Sequence, residues 1–115
     1  MVDYQWGVFW ADLNPTKGSE QSGVRPVLVI SAEEVNQALP VVAIISLTSV
    51  KEKRKIYPTE VFLSASETGL PMDSIGMAHQ IRVIDKKRLG KKCGSINLDE
   101  TKEIIKVAIK IYLDI

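Results

Sequence analysis

The sequence predicts a mainly β protein: a small antiparallel barrel with one helix packed across it. Several short apolar or alternating segments are separated by turn residues, which is typical of a small all-β domain. The hydrophobic period becomes helical only near the C-terminus. The chain has 115 residues, of which 45% are hydrophobic and 25% charged. This size and composition predict one soluble domain over residues 1–115 with a substantial core.

The first two predicted strands flank a polar loop. Residues 8–13 are rich in aromatic and apolar side chains, and Asn14-Pro15 then ends the strand and starts a turn. Pro26 has no backbone donor and therefore suits the first position of the next strand, which continues from Val27 to Ser31. Long loops in compact domains are often functional, so the segment between the two strands is a candidate binding element.

The middle of the chain alternates between apolar runs and short connections. Residues 32–38 are expected to form a weakly helical or turn-like connection that ends before Pro40. The nearly continuous apolar run at 41–47 predicts a third strand that, like the second, is buried on both faces. A fourth strand is predicted at 60–63, and a turn at 68–71. A fifth strand is predicted from Ser74 through Ala78, continuing to Ile84.

The last segment has the pattern of an amphipathic helix. Asp99 is the predicted N-cap, and Glu100 and Glu103 place negative charge in the first turn. Lysines occupy the opposite side from a wide apolar stripe, which is broad enough to contact both the barrel and a partner subunit. The stripe comprises Ile104, Ile105, Ala108, Ile109, Ile111, Tyr112 and Ile115.

Arg25 is the clearest candidate for a binding residue. It stands where the glycine-containing loop at residues 14–23 enters the second strand. A guanidinium is charged at any biological pH and offers five donors in a planar fork that matches two phosphate oxygens. The position therefore suits anion binding, and an ordinary surface arginine is the alternative.

Three blocks of the sequence, in their order and spacing, carry a family resemblance that spans nearly the whole chain. They are the loop and strand at residues 14–31, the segment 44–49 that contains Thr48, and the segment from Gln80 to Leu89. Together they resemble the MazF/PemK family of toxin endoribonucleases from prokaryotic toxin–antitoxin systems. The resemblance implies a compact SH3-like barrel of the CcdB/PemK type with a C-terminal helix, assembled as a homodimer.

The resemblance also implies that Arg25 and Thr48 act on a scissile phosphate. Arginine keeps its proton at any biological pH and is a poor general acid, so Arg25 is assigned to electrostatic stabilisation of the phosphorane. Thr48 would donate a hydrogen bond to the same phosphate, or it is a strand-end threonine favoured by β propensity. Glu20 is similar to a family glutamate that supports the active site. It would orient Arg25 or act as a base, or it is a loop glutamate in water.

His79 occupies a position where characterised members of the family often carry an acidic residue. Histidine, which ordinarily titrates near pH ~6.5, can serve as a base or an acid, and a structural histidine is the alternative. Gln80, just after it, would bind a base edge or hold the loop. Arg82 and Asp85 are expected to form a structural ion pair.

No metal ion or cofactor is expected to take part in the chemistry. His79 is the only histidine and Cys93 the only cysteine, and no spacing resembles a metal cage. RNA can be cleaved without a metal because its 2′-hydroxyl can attack the adjacent phosphorus and yield a 2′,3′-cyclic phosphate and a 5′-hydroxyl. The protein would then supply a base, donors for the phosphorane oxygens and an acid.

The net charge of +1 does not by itself indicate a nucleic-acid binder, so local clusters of basic residues matter more. Candidate RNA-binding residues come from the polar loop, the end of the third strand, the basic segment after it and the third block. They are Thr16, Lys17, Ser19, Gln21, Ser49, Lys51, Lys53, Arg54 and Gln80.

The leading interpretation is a metal-independent toxin ribonuclease that cuts single-stranded RNA at a short sequence and is inhibited by a MazE-like antitoxin. Operator DNA would be bound only through the antitoxin complex. No membrane span is expected, and the N-terminus lacks the features of a secretory signal, which favours the cytoplasm. Two alternatives remain: a non-catalytic, gyrase-directed toxin of the same fold, which the absence of a C-terminal tryptophan disfavours, and an RNA-binding regulatory barrel.

Overall fold

The computed structural model describes residues 2–50 and 54–115, which form six β-strands and three α-helices. The strands are β1 (Gly7–Asp12), β2 (Val24–Val29), β3 (Val41–Ser49), β4 (Glu60–Leu63), β5 (Ser74–Asp85) and β6 (Leu89–Ser95). The helices are α1 (Glu33–Ala38), α2 (Ala65–Thr68) and α3 (Asp99–Leu113). A short 3-10 turn at Lys86–Arg88 joins β5 to β6.

All six strands belong to one antiparallel sheet with the order β4-β5-β3-β2-β1-β6. The apolar strands β2 and β3 lie at the centre of the sheet, with neighbours on both sides, as the sequence predicts. Within the described residues, the edge strands β4 and β6 are not paired with each other, so the sheet stays open. The mainly β fold with a C-terminal helix is confirmed.

The core forms two clusters, because alternate residues of the central strands are apolar on both faces. On β2, Leu28 belongs to the cluster that α3 covers with Ile105 and Ala108. Val27 and Val29 belong to the other cluster, with residues of β1, β3 and β5. This packing leaves the polar ends of β2 and β3 next to each other, with Arg25 on one and Thr48 on the other.

Strand β6 is the one element of the sheet that the sequence analysis did not predict. It pairs antiparallel with β1, with register shifts that mark irregularities in the ladder. Gly94 is required there, because a Cβ at this position would collide with the Thr68 carbonyl of α2. One smaller prediction was wrong: Leu98, not Asp99, is the N-cap of α3. The turn predicted at 68–71 overlaps helix α2 at Thr68 only, and Gly69 ends that helix with a positive φ of 84°.

Helix α3 buries only a narrow part of its predicted apolar stripe. Ile105 and Ala108 are buried, whereas several large apolar side chains on the helix are about half exposed. These are Ile104, Val107, Ile111, Tyr112 and Leu113. Over the part of the chain that the structure describes, no helix has the length and apolar character needed to cross a membrane.

Candidate functional site

The polar loop between β1 and β2 is closed by its own hydrogen bonds. The Gly23 amide donates to Asn14 Oδ1 at 3.1 Å, and the Leu13 amide donates to the Gly23 carbonyl at 3.0 Å. Gly18 and Gly23 have positive φ angles of 56° and 80°, a conformation that glycine adopts without steric cost. The loop is therefore a closed structure whose two ends meet at the start of β2, immediately before Arg25.

Arg25 is oriented by the loop that precedes it. Its Nε donates a 2.7 Å hydrogen bond to the carbonyl of Ser22. Within residues 2–50 and 54–115, this is the hydrogen bond that the guanidinium makes, and its two terminal nitrogens have no protein partner. A guanidinium fixed through Nε keeps its two-pronged edge available for an anion.

Arg25 and Thr48 line the same cavity, of about 370 Å³. Ser22, Ser49 and Ser74 also line it, with the Ser74 hydroxyl donating to the Met72 carbonyl at 3.3 Å, and the remaining wall is largely apolar. The apolar part is formed by Trp10, Val24, Pro26, Leu47, Leu70, Pro71 and Met72. Because Val27 pairs with Ser46 in the β2–β3 register, Arg25 and Thr48 continue one face of these two strands. One cation and one hydroxyl are thus placed to bind the same phosphate.

Glu20 and His79 lie in a second, smaller cavity of about 130 Å³, which shares no lining residue with the first. The Glu20 carboxylate accepts a short hydrogen bond from the Lys17 amide of its own loop. Ser22 therefore provides the orienting contact to Arg25 that the sequence analysis considered for Glu20. His79 Nδ1 lies 3.0 Å from the hydroxyl of Thr59.

The second cavity also contains buried polar atoms without partners. Ser46 is 1% exposed, and neither its hydroxyl oxygen nor Gln21 Oε1 has a hydrogen-bond partner in the described structure. Both residues line this cavity together with Gln80 and Arg82. Since buried polar atoms are normally hydrogen-bonded, these two oxygens are available to a polar ligand in the second cavity.

Gln80 lines the second cavity and also contacts the polar loop through both ends of its side-chain amide. Its Oε1 accepts from the Gln21 amide at 3.2 Å, and its Nε2 donates to the Ser19 carbonyl at 3.1 Å. Of the other loop residues predicted to bind RNA, Lys17 and Ser19 are exposed and Thr16 is half-buried. Gln80 therefore contacts the loop, and its other proposed role, binding the edge of a base, stays a prediction.

Arg54 is engaged in a two-point salt bridge with the buried carboxylate of Glu60 on β4. Nη1 and Nη2 lie 3.2 and 2.8 Å from the two carboxylate oxygens, and the Tyr57 amide donates to the same group at 3.1 Å. The Arg54 guanidinium and the backbone hydrogen bond hold the pKa of Glu60 below its ordinary value against the opposing effect of burial. The other basic candidates in this segment, Lys51 and Lys53, lie outside the described residues.

The ion pair predicted between Arg82 and Asp85 is wrong. Residues three apart on a strand point to opposite faces, and the two side chains bind different backbone groups. Arg82 Nη1 donates to the Leu13 carbonyl at 3.2 Å, and Asp85 accepts from the Lys87 amide at 2.8 Å. Arg82 therefore fixes the start of the polar loop.

Three contributions to the site were missed at the sequence level. Ser22 orients Arg25, Trp10 lines the cavity, and Arg88 Nη1 donates to the carbonyls of Asp12 and Asn14 at 3.2 and 2.6 Å. None of the three carried a signal in the local pattern: Trp10 shares its strand face with Val8, which is fully buried. Across the described ranges, no group of three or more His, Cys, Asp or Glu side chains is placed to hold a metal ion.

Comparisons with known proteins identify the family of the chain. The family profile described as "PemK-like, MazF-like toxin of type II toxin-antitoxin system" matches residues 4–112. The endoribonuclease EndoA of Bacillus subtilis (strain 168) is 39% identical over 113 residues, which cover 98% of this chain and 96% of that protein.

Solved structures share the fold at lower identity. The MazF crystal structure (Form-I) from Deinococcus radiodurans has a TM-score of 0.82 and 23% identity, covering 100% of this chain and 99% of that one. An endoribonuclease from Mycobacterial species, solved in complex with its cognate antitoxin, has a TM-score of 0.79 and 24% identity. The match covers 99% of this chain and 97% of that one. With the family profile and the 39% identical relative, these findings show that the chain belongs to the PemK-like, MazF-like family of toxins of type II toxin–antitoxin systems.

Proposed function

We propose that this protein is a toxin endoribonuclease that cuts single-stranded RNA at a short sequence without a metal ion. The observation that carries the proposal is the shared cavity of Arg25 and Thr48. Ser22 fixes the guanidinium there, and its two terminal nitrogens have no partner among the described residues, so they can bind a phosphate. Family membership and the 39% identical endoribonuclease support RNA as the substrate. They favour this activity over a gyrase-directed inhibitor or a regulatory barrel.

The proposed reaction is an internal transphosphorylation. The 2′-oxygen of the RNA attacks the adjacent phosphorus and loses its proton, and the bond from phosphorus to the 5′-oxygen breaks as that oxygen gains a proton. The products are a 2′,3′-cyclic phosphate and a 5′-hydroxyl. Arg25 stabilises the extra negative charge on the phosphorane oxygens, and the Thr48 hydroxyl donates a hydrogen bond to the same group.

Glu20 and His79 are proposed to act on the neighbouring nucleotide rather than on the scissile phosphate. Both line the second cavity, and each is already hydrogen-bonded to the protein. The unpartnered oxygens of Ser46 and Gln21 support this role, because the edge of a base in that cavity would supply the missing donors. The exposed loop residues Lys17 and Ser19, with Thr16 and Ser49, would contact the backbone of the same strand.

The proposed partners follow from the family. A MazE-like antitoxin would bind the RNA groove, as a cognate antitoxin binds the Mycobacterial relative, and operator DNA would be reached only through that complex. The half-exposed apolar side chains of α3 support assembly as a homodimer, because a second copy would remove them from water. We propose the cytoplasm as the site of action, since that is where mRNA is found.

A cleavage assay tests the proposed function. The protein is incubated with a long single-stranded RNA in excess EDTA, and both new ends of each fragment are mapped. Discrete cuts with 2′,3′-cyclic phosphate and 5′-hydroxyl ends are expected. Arg25→Ala should abolish them, and Thr48→Val, which keeps the shape and β propensity of the side chain, should reduce them strongly. RNA that stays intact across diverse sequences would overturn the proposal.

A further inference from the structure

Ser46 is a buried serine whose hydroxyl has no hydrogen-bond partner in the part of the chain that the structure describes. The residue is 1% exposed in the middle of β3, and its neighbours on that strand, Ile45 and Leu47, are core residues. A buried polar group without a partner lowers the stability of the folded protein, because it gives up its hydrogen bonds to water and gains none. Alanine would serve the fold better at this position, so the hydroxyl indicates a ligand.

The strand registers place Ser46 on the face of the sheet that carries Arg25 and Thr48. On β2, Val27 is the partner of Ser46, and Arg25 lies two residues before Val27 on the same face. On β3, Thr48 lies two residues after Ser46, which corresponds to about 6.6 Å along the strand. The second cavity therefore begins next to the phosphate site, within reach of a nucleotide whose phosphate Arg25 holds.

The groups around Ser46 bring a second open acceptor to the same place. Arg82 lies on this face too, since its partner on β3 is Ile44, two residues before Ser46. Gln80 ties β5 to the polar loop through the Gln21 amide, which brings the Gln21 side chain to the wall of the second cavity. Gln21 Oε1 is buried and, among the described residues, also lacks a donor. Two oxygens of this cavity thus await hydrogen bonds.

We infer that Ser46 and Gln21 select a nucleobase with an exocyclic amino group at a nucleotide next to the scissile phosphate. The inference rests on the proposed ribonuclease function, because Arg25 must hold the phosphate to which this nucleotide belongs. One amino group has two N–H bonds and can donate to Ser46 Oγ and Gln21 Oε1 together. Adenine, cytosine and guanine carry such a group, whereas uracil carries carbonyl oxygens, which Gln21 Oε1 repels. Ser46 therefore determines specificity and takes no part in the bond-breaking step.

The first test measures base preference and stability in one variant. Wild type and Ser46→Ala are each incubated with a long RNA of mixed sequence, and the bases that flank every cut are counted. Wild type should require an amino-bearing base at one flanking position, and Ser46→Ala should relax that requirement while still cutting RNA. In urea, Ser46→Ala should unfold at the same or a higher concentration than wild type, since it loses only an unpaired hydroxyl.

Substrate analogues then remove the amino group alone. At the selected position, adenosine is replaced by purine riboside, cytidine by 2-pyrimidinone riboside, or guanosine by inosine. For wild type, kcat/KM should fall about five- to 150-fold, as expected for two lost neutral hydrogen bonds. Ser46→Ala should lower kcat/KM for the amino-bearing RNA about two- to twelvefold. It should lower kcat/KM for the analogue little, because the group that Ser46 would bind is already absent.

Ser31→Ala is the matched control. The Ser31 hydroxyl is hydrogen-bonded, since it donates to Asn36 Oδ1 and accepts from the Ala43 amide, and Ser31 lines neither the Arg25 cavity nor the second one. Ser31→Ala should therefore lower the urea midpoint and leave the base preference unchanged, which is the opposite of the result expected for Ser46→Ala.

The contrary outcomes separate the inference from the function. Cuts by wild type without an amino group requirement, or equal losses from Ser46→Ala on RNA and analogue, would overturn the inference and leave the ribonuclease function standing. A lower urea midpoint in Ser46→Ala with unchanged base preference would also overturn it, because the serine would then serve the fold. RNA that wild type leaves intact would overturn both the inference and the function on which it rests.

Discussion

Gln80 tests whether the polar loop must be held in place for the site to work. Its amide makes two hydrogen bonds to the loop, at 3.2 and 3.1 Å, and the loop presents the Ser22 carbonyl that orients Arg25. A neutral hydrogen bond is worth about 0.5–1.5 kcal/mol net, so Gln80→Ala should destabilise the closed loop by about 1–3 kcal/mol. This corresponds to roughly five- to 150-fold more frequent opening.

Hydrogen exchange measures that opening directly. The Gln21 amide donates to Gln80, and the Gly23 amide donates to Asn14 within the same loop, so both should exchange faster in Gln80→Ala. RNA cleavage should fall, but by less than in Arg25→Ala, because the guanidinium is still present. Gln80→Glu keeps the acceptor for Gln21 and loses the donor to Ser19, so it should also release the loop.

Gln37 provides the matched control for this experiment. Its amide also makes two hydrogen bonds, to the Val2 carbonyl and to Glu33, each at 2.7 Å, but on α1 and away from both cavities. Gln37→Ala should leave loop exchange and RNA cleavage unchanged. Wild-type protection of Gln21 and Gly23 in Gln80→Ala would refute the reasoning, because it would show that other contacts hold the loop.

Three further predictions concern stability and the second cavity. The salt bridge with Arg54 lowers the pKa of Glu60 in the folded protein. The stability that this salt bridge contributes should therefore be present above about pH 4.3, the ordinary pKa of glutamate, and be lost as the pH falls through the lowered pKa of Glu60. Glu60→Gln should therefore lower the free energy of unfolding, measured in urea, by about 1 kcal/mol at neutral pH and by little in acid. An equal decrease at both pH values would contradict this. Ile105→Ala, at a fully buried position, should lower the free energy of unfolding in urea by about 2–5 kcal/mol. Val83→Ala, at a position that is 64% exposed, should change it by no more than about 0.5 kcal/mol. His79→Ala should lower the cleavage rate less than tenfold; a loss as large as that of Arg25→Ala would return His79 to a role in proton transfer.

Much of the fold follows from local sequence pattern. Strands β1 to β5 and helix α3 were predicted within a few residues, because their apolar periodicity and turn residues agree with the final packing. Strand β6 was missed because Gly90, Gly94 and three polar residues give it no strand pattern of its own. It forms only because β1, distant in sequence, offers an unpaired edge.

The candidate site, like the fold, could be predicted only in part. The sequence pointed to Arg25 and Thr48 through the ends of two central strands, and the structure brings both to one cavity. The sequence could not show that Glu20 and His79 line a different cavity, because their positions depend on how the loop closes against Gln80. The roles of all four residues remain predictions. The apolar pattern of α3 likewise did not show which residues of the stripe face the core and which stay exposed.

The central claim is that Arg25 and Thr48 act together on one phosphate. A double-mutant cycle tests it most directly, with kcat/KM for RNA cleavage measured in wild type, Arg25→Ala, Thr48→Val and the double variant. If both groups serve the same phosphorane, the double variant should be only slightly slower than Arg25→Ala alone. If the two single losses multiply in full, the two side chains act independently and the claim is contradicted.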